Sequence, residues 1–267
     1  MQRFFTHLFH LYEIPYEAVL DAVSTSERID PNLRKLFLPA DKWMSLGRIR
    51  EMLAHEFEQH ILRALNGTRS SLALLGSGTR GYLETEEGFA TYYSLEVARL
   101  LGSPVQPKLW IGTLATGLAS GAICPPLTFS VLYQVFTAVK LLTDLLAGKQ
   151  ASAEKLLADA RKYAQNRCLR TFRGVSDLSR LGICSTKDIL YQRGFFAVEA
   201  ALREDPTRFD RLMVGAAGIH QLDDLAELGI VSSSTAHRRL ATDPALESYI
   251  IQFVDDPAAR PGSPGTS

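Results

Sequence analysis

Between Ser45 and Gly67 the chain places Ile49, Leu53, Phe57, Ile61 and Leu65 at intervals of four. An α-helix has about 3.6 residues per turn, so a spacing of four drifts slowly round its surface and makes one apolar stripe. The stretch Leu46–Leu65 is therefore read as a long helix with a core-facing side. Ser45 is placed to cap its N-terminus and Gly67 stands just past its end. The same stretch carries His55-Glu56-Phe57-Glu58-Gln59-His60. Zinc motifs commonly set two histidines at i and i+4, whereas His55 and His60 are five apart. At about 100° per residue their side chains point about 140° apart on an ideal helix. One extra residue in the turn returns them to one side, so the spacing predicts a local π-type widening between His55 and His60.

Two imidazoles and a carboxylate are the ligand types of a hydrolytic zinc site, which keeps one position open for water. A bound zinc brings the pKa of that water toward neutrality, and a neighbouring glutamate, here Glu56, takes its proton. The third ligand has to come from another element. Thr85-Glu86-Glu87-Gly88 follows a loop containing Gly76, Gly78 and Gly81, with Glu87 standing 32 residues after His55. Glu87 is the favoured ligand. Glu86 is either an alternative ligand or the group that holds a histidine ring nitrogen from behind. The glycines form no phosphate loop, because no GK[ST] follows them, and nucleotide binding is rejected. Glu58 and Gln59 are read as solvated or supporting side chains without a role. His7, His10, His220 and His237 are read as surface or core residues.

The remaining pattern is mainly α, with a small sheet or hairpin, in a single domain over 1–254. A Pro/Gly-rich tail over 255–267 is expected to be disordered. Helices are predicted over Phe4–Leu11, Pro15–Val23, Glu86–Leu101 with Thr85 as cap, Thr113–Gly121, Phe129–Leu146, Ala153–Arg167 behind Ser152, Thr186–Arg203, Pro206–Val214 and Gln221–Leu228. Strands are predicted over Lys35–Leu38 and Ser70–Leu75. The apolar region Leu109–Leu146 is interrupted by Pro125, Pro126, Lys140 and Asp144, and reads as buried helix rather than a membrane span. Lysine plus arginine equal aspartate plus glutamate at 29 each. Balanced charge leaves no footprint for nucleic acid or a membrane, although a local basic patch is compatible with it. Cys124, Cys168 and Cys184 form no CxxC pair and their number is odd, which fits a reducing compartment. No signal peptide is expected at the N-terminus, so the expected location is cytoplasmic.

Three blocks in order resemble the microtubule-associated tyrosine carboxypeptidase family, including its bacterial relatives once grouped as a domain of unknown function. The first is His55–His60 continued by Leu62-Arg63-Ala64-Leu65-Asn66-Gly67. The second is Thr85-Glu86-Glu87-Gly88-Phe89-Ala90. The third runs from Thr171-Phe172-Arg173-Gly174-Val175-Ser176-Asp177 through Cys184-Ser185-Thr186-Lys187-Asp188 to Tyr191 and Gly194. The resemblance spans about residues 45–200. It implies a zinc metallopeptidase that removes a C-terminal residue, tyrosine or another aromatic, from a peptide or protein tail. His55, His60 and Glu87 would be the ligands and Glu56 the base. Phe89 replaces the leucine common in the family, and the region before residue 45 does not align, so tubulin is not assumed as substrate.

A carboxypeptidase has to hold a free carboxylate, for which cationic side chains are suited. Arg173 and Lys187 from the third block, and Arg80 from the glycine-containing loop, are the candidates. Tyr191 is the candidate donor to a tetrahedral oxyanion. The competing expectations are a catalytically silent module that binds a peptide around the metal, and an endopeptidase or amidohydrolase using the same site.

Overall fold

The computed structural model describes residues 1–23, 27–30, 32–40, 44–102, 109–231 and 240–254, so the expected disorder of the tail over 255–267 lies outside the described residues. In chain order the elements are α1 (Gln2–Leu11), β1 (Glu17–Asp21), β2 (Arg28–Asp30), β3 (Lys35–Pro39), α2 (Leu46–Met52), a π-helix (Leu53–Leu62), α3 (Arg63–Arg69), α4 (Leu74–Ser77) and α5 (Tyr82–Leu100). They continue as α6 (Leu109–Ser120), α7 (Phe129–Leu146), α8 (Ala153–Thr171), α9 (Lys187–Glu204), α10 (Arg208–Arg211), α11 (Leu222–Glu227) and α12 (Leu246–Val254). The fold is mainly α with one small sheet, as the pattern predicted. The stretch read as one domain divides between two compact units, Met1–Val105 with Gly194–Ser267, and Gln106–Arg193.

In the first unit the sheet order is β1-β3-β2, with β1 parallel and β2 antiparallel to β3. Lys35–Leu38 is strand as predicted, and its Leu36 and Leu38 are fully buried. Pro15–Val23 is not a helix: Glu17–Asp21 pairs with β3 in the register Ala18↔Leu36. Pairing to a buried neighbour overrides local propensity here, as it commonly does for short segments. Ser70–Leu75 is not a strand either; it turns and enters α4.

The long helix exists and contains the predicted widening. Ser45 Oγ accepts from the Arg48 N–H at 3.2 Å, and the ladder opens to the π form over all ten residues Leu53–Leu62. Ile49, Leu53, Phe57 and Ile61 are buried in the core with Phe4, Phe5 and Leu8 of α1. The helix does not stop before Gly67, however, but runs to Arg69. Gly67 is there because a Cβ on it would stand 2.0 Å from the Leu75 carbonyl oxygen, so the glycine permits close backbone approach rather than ending the helix. Gly88 of α5 has the same reason: its Cβ would meet the Gly194 backbone at 2.1 Å. α5 itself starts one turn earlier than predicted, at Tyr82. The Thr85 hydroxyl serves another segment, accepting from the Ile219 N–H at 2.9 Å.

In the second unit α6, α7 and α8 share a small core of Ile111, Ala115, Leu132, Phe136, Ala164 and Cys168. Ser152 caps α8, accepting from the Lys155 N–H at 3.2 Å. The expectation that the apolar Leu109–Leu146 region is buried fails for α7, whose buried residues are Leu132, Phe136 and Asp144. Among the described residues α7 is the one helix long and apolar enough to cross a membrane, with mean hydropathy 1.4 and 17% of it buried. Cys124, Cys168 and Cys184 are free thiols.

Candidate metal centre

In a π-helix the backbone bond runs from residue i+5 back to i, so side chains five apart stack along one side. The widening therefore turns His55 and His60 toward each other, with ring centroids 5.2 Å apart. α5 packs alongside and brings in its first turns. Ligand atoms of His55, His60 and Glu87 then lie within 4.8 Å of one another. Glu87 is only 5% exposed, a burial that an acidic side chain tolerates only beside compensating groups. Two nitrogens and one oxygen at this separation could hold a metal ion.

The two histidines are held from behind. His55 is hydrogen-bonded to the Ala90 backbone. His60 Nδ1 lies 2.8 Å from Glu86 Oε1, which leaves its Nε2 as the nitrogen for an ion. Of the two roles open to Glu86, the structure shows the one of holding His60. Burial, reinforced by His60 and Arg48, pushes His55 down to about 3, so its ring is neutral and able to ligate. Burial opposes charge on His60 as well, but the hydrogen bond and charge of Glu86, with Glu56 and Glu87 behind it, hold its imidazole up at about 9. Burial raises the Glu56 carboxyl to about 6, with His60 pulling the other way.

Arg63 is the residue that sequence reasoning missed. It is 1% exposed and spends its whole guanidinium on the site's frame: Nη1 donates to Glu86 Oε2 at 3.2 Å, Nε to the Leu212 carbonyl at 2.8 Å and Nη2 to the Ala217 carbonyl at 2.6 Å. Asn66 adds a bond from Nδ2 to the Met213 carbonyl at 2.8 Å. Arg63, Asn66 and Gly67 thus all clasp the segment 212–217, which gives the Leu62–Gly67 block a physical meaning. The signal was a charged residue one turn after His60 on a helix whose partner acid lay in the second block. Glu58 and Gln59 are fully buried, not solvated, because the helix is enclosed on this side too. Glu58 Oε1 accepts from the Ala241 N–H at 2.7 Å, while Arg50 donates to the Ala241 and Asp243 carbonyls at 2.9 Å each. Tyr16 and Tyr82 were also passed over. Burial raises both hydroxyls, and each also feels the charge of Glu86.

No protein-family model and no curated protein sequence matches the chain. The geometry therefore carries the functional argument. If Glu86 orients His60, then Glu86→Gln should weaken zinc affinity by about 10- to 100-fold. Competition against a chromogenic chelator measures this, and an unchanged affinity would leave Glu86 without that task.

The substrate candidates divide between the units. Arg80 is exposed on the loop that leads into α5 in the first unit, and holds no ion pair among the described residues. Arg173, Lys187 and Tyr191 belong to the second unit. There the Arg170 guanidinium lies 5.2 Å and the Lys187 ammonium 5.9 Å from the Tyr191 ring centroid. Asp188 accepts from both Arg167 and Arg170. Arg173 is exposed, and Asp177 accepts from the Ser179 hydroxyl and N–H.

Proposed function

We propose that the protein is a zinc-dependent carboxypeptidase that removes a C-terminal residue, tyrosine or another aromatic, from a peptide or protein tail in the cytoplasm. The observation that carries this reading is the convergence of His55, His60 and Glu87 within 4.8 Å, with the acid Glu56 adjoining the first ligand on the same widened helix. The three free thiols agree with a reducing compartment. His55, His60 and Glu87 hold the ion in this reading, and Glu86 with Arg63 keeps His60 aimed. A zinc ion held by these three side chains would supply Lewis acidity and lower the pKa of a water molecule toward neutrality. Glu56 accepts the proton as the water oxygen attacks the last peptide carbonyl. The C–N bond breaks, the oxygen stays with the new carboxyl group, Glu56 delivers the first proton to the departing amine, and the second water proton leaves the new acid by the same carboxylate, giving a carboxylate and an ammonium. Arg80, in the same unit as the ligands, is the cation this reading offers to the terminal carboxylate. Arg173, Lys187 and Tyr191 remain candidates from the resemblance.

The test is metal analysis of the purified protein, followed by mass spectrometry of peptide pairs with free and amidated C-termini. The expected result is about one zinc per chain and loss of a single residue from free ends alone. Cleavage of amidated peptides would replace the reading with an endopeptidase or amidohydrolase. Peptide binding without product would replace it with a silent metal-containing module.

A further inference from the structure

Arg48 stands on the continuous helix that supplies both imidazoles, seven residues before His55 and eight before Glu56. Positions seven and eight apart fall on one side of a helix, about two turns along it. Its charge reaches both groups. The guanidinium is held by two acids of unlike character. Nη2 donates to Glu27 Oε2 at 3.1 Å, and Nη1 donates to Glu51 Oε2 at 3.3 Å. Glu27 is buried, and a buried carboxylate keeps its cation because either charge left alone in the interior is costly. Glu51 lies three residues along the same helix and its side chain reaches solvent. A surface pair of that kind contributes little and is screened by salt. Arg48 therefore has one fixed partner and one exchangeable partner, and its own side chain is 46% exposed.

We propose that Arg48, rather than Arg80, receives the terminal carboxylate of the substrate, and that this carboxylate displaces Glu51 from Nη1 while Glu27 keeps the guanidinium in place. The inference rests on the carboxypeptidase reading. Three features favour Arg48. Arg80 shares a unit with the ligands, but Arg48 shares a helix with His55 and His60, so one element fixes where its charge stands. The planar fork of a guanidinium matches both oxygens of a carboxylate, and an acid that anchors one side reduces the freedom lost when the other side binds. Release of Glu51 to water as the substrate carboxylate arrives leaves the charge around the guanidinium unchanged. Glu51 is then a placeholder that keeps Arg48 paired until a free C-terminus takes its position.

The experiment measures, by fluorescence anisotropy, binding of one labelled peptide with a free and with an amidated C-terminus to the zinc-loaded Glu56→Gln protein. The free end should bind more tightly than the amide. Arg48→Met, added to that protein, should lower affinity for the free end at least about tenfold and leave affinity for the amide unchanged. Glu51→Gln removes the competing carboxylate and should raise affinity for the free end about two- to fivefold. A purely structural Arg48 gives no such gain. Where Arg48→Met fails to fold because Glu27 loses its cation, Glu51→Gln, at a side chain open to water, still decides. Arg80→Met should leave both affinities unchanged. A loss confined to Arg80→Met, or no gain with Glu51→Gln, would overturn the assignment and leave the metal reading standing. Zinc binding by the parent protein without cleavage of any peptide would reject the carboxypeptidase, and an Arg48-dependent preference for free ends would still support the anchor. Equal binding of free and amidated peptides would overturn the anchor whatever the zinc content.

Discussion

Glu56→Gln should abolish turnover while zinc stays bound at the wild-type stoichiometry. Glutamine has nearly the shape of glutamate, so the π-helix and both imidazoles have no reason to move. Glu56 is not among the three groups whose ligand atoms converge, so the ion keeps its donors. What is lost is the proton acceptor, and general-base catalysis contributes about 10²–10⁴ in rate. The measurement pairs kcat on a free-ended peptide with metal content by mass spectrometry. A variant that retains metal and turns over within about tenfold of the parent would remove Glu56 from the mechanism. A variant that loses metal would instead make Glu56 part of the ligand set.

Arg63→Leu should destabilise the protein by about 3–5 kcal/mol, the cost of breaking a buried charge pair by removing one partner. The volume is roughly retained, so the loss is electrostatic and polar. Glu86 loses the buried cation that faces its Oε2, and the Leu212 and Ala217 carbonyls lose their donors. Each buried polar group left without its partner costs about 1–3 kcal/mol. Arg69→Leu, six residues further along the same helix and exposed, is the control and should stay within about 0.5 kcal/mol. Urea unfolding followed by circular dichroism measures both. Equal midpoints for the two variants would show that Arg63 bears no such weight. Because Glu86 also holds His60, the Arg63 variant should bind zinc more weakly even where it remains folded.

The site was legible to the degree that its chemistry is written in residue types at short range. His55, Glu56 and His60 lie on one helix, and the five-residue interval demanded a widened turn that the structure supplies over Leu53–Leu62. Glu87 and Glu86 were legible as a pair, but their separate tasks were not. Adjacent residues on a helix point about 100° apart, and which one meets the ion depends on how α5 is rolled against its neighbour. That roll follows from Gly88, where the backbone at Gly194 comes close, and the meeting of residues 106 positions apart is not visible in either segment alone. Arg63 and Glu58 were misread or missed for a related reason. A charged side chain on a helix normally faces solvent, and both are buried by elements from far along the chain, at 212–217 and 241.

Local pattern by itself determined the helical class, the caps at Ser45 and Ser152, and the strand at Lys35–Leu38. It also determined the pairing of two histidines with an acid, because periodicity and capping act within a few residues. Tertiary structure decided the rest. It made Glu17–Asp21 a strand by offering it β3, made Gly67 a contact point rather than a helix stop, and left α7 exposed where composition argued for burial. Apolar composition states how favourable burial is, but not whether a partner surface is present to provide it. That depends on which distant segments the chain brings together.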